Sequence, residues 1–130
     1  MDGAELQRIA AETALALPAT EETEPFGPEV SVFKVREKMF MMTAEHEGRP
    51  IVTLKCEPEY SEALRQEHSA ITPGYHMNKR HWITLTDGPG VTGALVAELV
   101  TNAYALVVEK LPRHARPLVP QAGRARANGT

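Results

Sequence analysis

Val30-Ser31-Val32-Phe33-Lys34-Val35, Met39-Phe40-Met41-Met42-Thr43-Ala44 and Ile51-Val52-Thr53-Leu54-Lys55-Cys56 are three strand-like runs separated by two short polar breaks. Side chains of a strand alternate between two faces, and each run places apolar residues on one of them. The breaks, Arg36-Glu37-Lys38 and Glu47-Gly48-Arg49-Pro50, are hairpin-length, and connections this short join antiparallel neighbours. The reading predicts a three-stranded meander.

Working outward, Asp2 and Glu5 have the spacing of a capping box, in which each end group satisfies a free helical amide. Leu6, Ile9, Ala10, Ala14 and Leu17 then recur at helical intervals before Pro18, predicting an amphipathic helix over residues 4–17. Residues 19–28 are acidic and interrupted by Pro25, Gly27 and Pro28, and read as a loop. Downstream of the meander, Pro58 suits a first helical turn, and Tyr60, Ala63 and Leu64 give a narrow apolar stripe on a helix ending near His68. Trp82–Thr86 reads as a further strand, with an extra short strand placed around residues 70–77. Thr92 is the cap expected of a last helix reaching Leu111. Its polar positions Glu98, Asn102 and Glu109 share one face with Ala105, so the helix should lie deep against the sheet. No repeat is visible. The order α-β-β-β-α-β(β)-α, with helices on one face of an antiparallel sheet, is a two-layer α+β domain. It occupies residues 1–116, and a disordered tail is expected over 117–130.

The 130 residues suffice for one core. No run approaches the ~18 consecutive apolar residues of a membrane helix. The first residues lack the basic start and apolar middle of a signal peptide. Cys56 is the single cysteine, which fits a reducing compartment, and a cytoplasmic location is expected. Net charge is −3, but residues 1–70 hold fourteen acidic and seven basic side chains, whereas residues 71–130 hold three and seven. A dedicated nucleic-acid binder carries a clear basic excess, because phosphate neutralisation supplies most of its affinity. Only the second half of this chain is basic.

The segment His76-Met77-Asn78-Lys79-Arg80-His81-Trp82 packs the only tryptophan, two histidines and two cations into a short lead-in to Ile83-Thr84-Leu85. Together with Pro73-Gly74-Tyr75 before it, this stretch resembles the signature of the MmcQ/YjbR family: a proline, a histidine, an Asn-Lys pair and a His-Trp pair entering a strand. Arg49–Cys56 resembles that family's third strand and Leu64–His68 its central helix, so the likeness covers residues 4–115. The resemblance implies an α-β-β-β-α-β-β-α fold similar to that of secretion chaperones. It also implies a DNA-binding role through an arrangement like paired wings, and no reaction. The acidic first half departs from that role.

Alternation places Ile83 and Leu85 toward the core with His81 on their side, and Arg80, Trp82, Thr84 and Thr86 on the other. If the helices cover one face, the second set is open to water. An Arg beside a Trp can grip phosphate and stack a base, while Thr84 contacts backbone and Lys79 a phosphate. The competing reading makes Trp82 an edge cap of the core with Arg80 over its ring. Asn78 can instead satisfy its own turn, Lys79 can be a solvated charge, and His81 a structural histidine. His76 and His81 are five apart and lack zinc-ligand spacing, so no metal and no cofactor are expected. Cys56 lies on the Val52–Leu54 side of its strand, where an inert buried thiol is the plainer role. No phosphate loop or nucleophile elbow occurs. The expectation is therefore a non-enzymatic domain that binds DNA weakly through His76, Asn78, Lys79, Arg80, Trp82 and Thr84. The alternative is a protein-interaction or small-ligand module on the same open sheet face, or on the methionine strand.

Overall fold

A computed structural model describes residues 1–74 and 77–118. The three-strand meander is present as β2 (Ser31–Val35), β3 (Lys38–His46) and β4 (Arg49–Lys55). Both connecting turns are tighter than the sequence suggested. Arg36 and Glu37, and then Glu47 and Gly48, all have positive φ, as the two central residues of a type I′ hairpin require. Glycine fills one of these four sites, and three ordinary residues accept the left-handed conformation in the others.

Helix α1 (Gly3–Leu15) begins as its cap spacing predicts, with the Glu5 amide donating to Asp2 Oδ1 at 2.8 Å. Helix α2 (Pro58–Glu67) starts on its proline. Helix α3 (Gly93–Val108) is capped by Thr92, whose hydroxyl accepts from the Leu95 amide. Glu98, Asn102, Ala105 and Glu109 form its exposed strip. The extra strand is β5 (Ile71–Pro73), beside β6 (Trp82–Leu85). One element was missed: β1 (Thr20–Thr23) lies inside the segment read as an acidic loop. It pairs antiparallel with β2 through its backbone. Its sequence, Thr-Glu-Glu-Thr, has no apolar alternation to announce a strand.

Among the described residues six strands form one antiparallel sheet in the order β1-β2-β3-β4-β6-β5. The fold is α+β, as expected. Leu6, Ala10 and Ala14 of α1, Leu64 of α2, and Val96, Leu99, Val100, Ala103, Tyr104 and Val107 of α3 share one core cluster with Phe33, Val35, Met41, Val52, Leu54, Ile83 and Leu85. All three helices thus serve one face. A bulge between Phe33 and Lys34 lets Phe40 and Met41 both enter that core, and the Phe40 ring meets Tyr104 edge-on at 5.6 Å. Val32, Ile51, Thr53, Trp82 and Thr84 occupy alternate positions of the same strands and are buried outside the cluster. Among the described residues no helix is long and apolar enough to cross a membrane.

Candidate functional site

The strand β6 sets the geometry of the site, because its register fixes what flanks the tryptophan. Trp82 is paired with Lys55 of β4, and Thr84 with Thr53. On the other side Thr84 is paired with Thr72 of β5. The Gly74 amide donates to the Trp82 carbonyl at 2.8 Å. An added Cβ on Gly74 would come within 2.5 Å of Trp82 Cβ and 3.0 Å of its carbonyl carbon. The glycine before the signature is therefore demanded by close approach, not by backbone angle.

The water-facing platform expected at Trp82 and Thr84 is not there. Trp82 is 8% exposed and Thr84 4%. The Thr84 and Thr53 hydroxyls bond each other at 3.0 Å, inside the sheet face. Alternation was right about which residues share a side, but a helix-free side is not thereby a wet one. The cation over the indole is also a different residue: Lys55 Nζ lies 5.4 Å from the ring centroid, where the competing reading expected Arg80. Cross-strand register decides that contact, and adjacency along the chain does not.

The residues before β6 form an exposed turn. The Asn78 side chain accepts from the Arg80 amide at 2.9 Å and its carbonyl from the His81 amide at 3.1 Å, so Asn78 is spent on turn formation. His81 is half-buried and its carbonyl accepts from the Cys56 amide at 2.8 Å, tying the turn to the end of β4. His76 lies outside the described residues, as do residues 119–130 of the expected tail.

Lys79 and Arg80 are exposed, and they face α2. Arg80 lines a cleft of about 450 Å³ with Glu57, Pro58, Glu59 and Tyr60. A cleft of about 360 Å³ places Lys79 and Arg80 with Pro58, Glu59, Glu62, Arg65 and Pro73. The two share Pro58, Glu59 and Arg80. The Tyr60 hydroxyl donates to Glu98, and burial together with that carboxylate pushes its pKa up to about 12. The phenol is thereby held neutral and occupied. The carboxylates opposite Lys79 and Arg80 are what sequence reasoning missed. Pro58-Glu59 and Glu62 were legible as a helical face, but nothing in the sequence aimed that face at the turn.

Cys56 is buried, and loss of solvation raises its thiol from 9.0 to about 11. A thiol so raised is a poor nucleophile. Among the described residues no group of three His, Cys, Asp or Glu side chains converges in a way that could hold a metal ion.

These features define a two-layer α+β domain in which an exposed polar turn is strapped across the end of an antiparallel sheet. The YjbR family model matches residues 15–106, and the chain belongs to that family. It is similar to the uncharacterised protein YbdF of Escherichia coli O157:H7, at 42% identity over 113 residues, covering 87% of this chain and 93% of that protein. It is also similar to the uncharacterised protein YjbR of Escherichia coli K12, at 36% over 107 residues, covering 82% and 91%. A crystal structure of a Deinococcus radiodurans protein with a DUF419 domain superposes with a TM-score of 0.73 at 36% identity, covering 89% of this chain and 86% of that one.

Proposed function

We propose that this domain is a non-catalytic binding module whose clefts between α2 and the 78–81 turn take a polypeptide segment bearing both charge signs, rather than a nucleic-acid backbone. The observation that carries this is the company of Arg80 and Lys79: Glu57, Glu59 and Glu62 line the same pair of clefts. A phosphate chain approaching Arg65, Lys79 and Arg80 meets three carboxylates interleaved with them, and like-charge juxtaposition selects against such a partner. A segment alternating in sign meets complementary charge along the whole length of the clefts. Burial of Trp82 and Thr84 supports the same reading, because single-strand binding relies on exposed aromatic faces. The raised, buried thiol of Cys56 supports a role without nucleophilic chemistry.

The test titrates isotope-labelled protein with an alternating Glu-Lys peptide and, separately, with a DNA duplex at ~100 mM salt, where exposed charges are screened beyond ~10 Å. The peptide should shift amide signals in α2 and the 78–81 turn, and Arg80→Glu should abolish those shifts. A duplex affinity whose logarithm falls linearly with log salt and that disappears in the Lys79→Ala, Arg80→Ala double variant would overturn the proposal.

A further inference from the structure

A further cleft shares no lining residue with the two beside α2, and its charged side chains are all of one sign. About 340 Å³ in volume, it is lined by Lys38 at the start of β3, Lys55 at the end of β4, and Lys110 just past α3, with Met39, Val107 and Leu111 between them. The fold gathers these lysines from three distant stretches of sequence. No ion pair joins any of the three to a carboxylate among the described residues, although Glu37 and Glu109 are neighbours in the chain. Lys55 is half-buried, and its ammonium is disfavoured first by loss of solvation and then by the charge of Lys110. Lys38 and Lys110 are exposed at the rim, Lys55 is half-buried over the Trp82 ring, and among the described residues no carboxylate pairs with any of the three around this apolar floor. The charge of Lys110 disfavours the Lys55 ammonium in the empty protein, and an anion entering the cleft would relieve that repulsion. The floor adds a second requirement. Met39 is partly buried, Val107 and Leu111 are buried, and a methionine-lined surface adapts to apolar groups of varied shape.

We infer that this cleft is a binding site for a small amphipathic anion, in which a carboxylate or phosphate head lies among Lys38, Lys55 and Lys110 and a short apolar body lies on Met39, Val107 and Leu111. The volume is at the small end of the range for ligand pockets, ~300–1,000 Å³. It suits one medium-chain molecule and not a bilayer surface or a duplex. The site is separate from the α2 clefts and does not depend on the function proposed for them.

The protein carries its own reporter. Trp82 is the only tryptophan, and Lys55 Nζ sits 5.4 Å from its ring, so an anion drawing on Lys55 alters the field at the indole. The experiment follows Trp82 fluorescence and thermal unfolding during titration of the full chain. The probes are octanoate, octyl phosphate, inorganic phosphate and octanol. A saturable fluorescence change with a raised melting temperature is expected for octanoate or octyl phosphate, and whichever binds tighter identifies the head group. Inorganic phosphate and octanol should each bind at least tenfold more weakly. Lys110→Met, which leaves Lys55 and Trp82 in place, should weaken binding of the preferred probe about tenfold. The proposal is overturned if neither amphipathic anion saturates, if phosphate alone binds as well as the amphipath, if Lys110→Met leaves affinity unchanged, or if a DNA duplex displaces the bound probe.

Discussion

The two sides of this sheet are both buried at their centre, and they are buried in different ways. On one side, Phe33, Val35, Val52, Leu54, Ile83 and Leu85 share one apolar cluster with residues of three helices. On the other, register aligns Thr23, Val32, Met42, Thr53, Thr84 and Thr72 in one row across all six strands. Trp82 and Lys55 stand one step along from that row. There Thr53 is fully buried with its hydroxyl bonded to Thr84. The helical side draws its stability from apolar area. The opposite side conserves its stability by leaving no hydroxyl of the central pair unmatched.

The largest expected effect lies on the helical side. Phe40→Ala removes a fully buried ring and its edge-on contact with Tyr104, which should cost ~3–5 kcal/mol in denaturant unfolding. Met42→Ala, on the opposite side and only partly buried, should cost clearly less. Equal losses would erase the distinction between the two sides.

Next is the pH response of the same core. The folded state keeps the Cys56 proton up to about 11, whereas an ordinary thiol releases it near 9.0. The unfolded chain is thus the more deprotonated form between those values. Stability fully present below pH 9.0 should be lost as pH rises to about 11, by ~3 kcal/mol at most from this group. Tyr60, raised from 10.0 to about 12, extends the loss upward with the same sign. Unfolding measured across this window should show a shallower decline in Cys56→Ala, even though that variant starts out less stable. A decline as steep as that of the parent would mean the thiol is not held protonated by burial.

A smaller effect tests the opposite side by its own logic. Thr84→Val leaves the Thr53 hydroxyl buried without its partner, which should cost ~1–3 kcal/mol. Thr53→Val with Thr84→Val removes both polar groups and should recover most of that loss, since replacing a whole pair by groups of the same shape is nearly neutral. Additive losses would show that the hydroxyls do not depend on one another.

What could be read from sequence follows the same division. Periodicity and cap residues were sufficient for α1, α2, α3 and the meander, because the helical side is built on apolar spacing. β1 was invisible because Thr20–Thr23 contributes backbone hydrogen bonds at a sheet edge and little apolar surface. β6 was legible as a strand, yet its Trp82–Thr84 side was misjudged as open. Alternation states which side chains share a face and is silent on what lies over them. The register that sets Lys55 against Trp82, and the approach of Glu59 and Glu62 to Arg80, join residues 18 or more positions apart. Only the assembled sheet and helix bring them together.

The least stabilising contact is the one that most sharpens the distinction. Lys55 gains from lying over the Trp82 ring, a contact worth ~0.5–1 kcal/mol at a site of this exposure. It loses from partial burial and from the positive charge of Lys110. These terms oppose each other, so Lys55→Met should change unfolding free energy by less than ~1 kcal/mol in either direction, with the methionine stem covering the same indole. The emission of Trp82 should shift nonetheless, because the charge beside it is gone. A loss above ~2 kcal/mol would make the ammonium a structural tie of this side of the sheet, comparable to the Thr53–Thr84 pair. Near-neutral stability with a changed emission would instead leave the Lys55 charge with little to do in the folding of the chain and fully available to a bound anion.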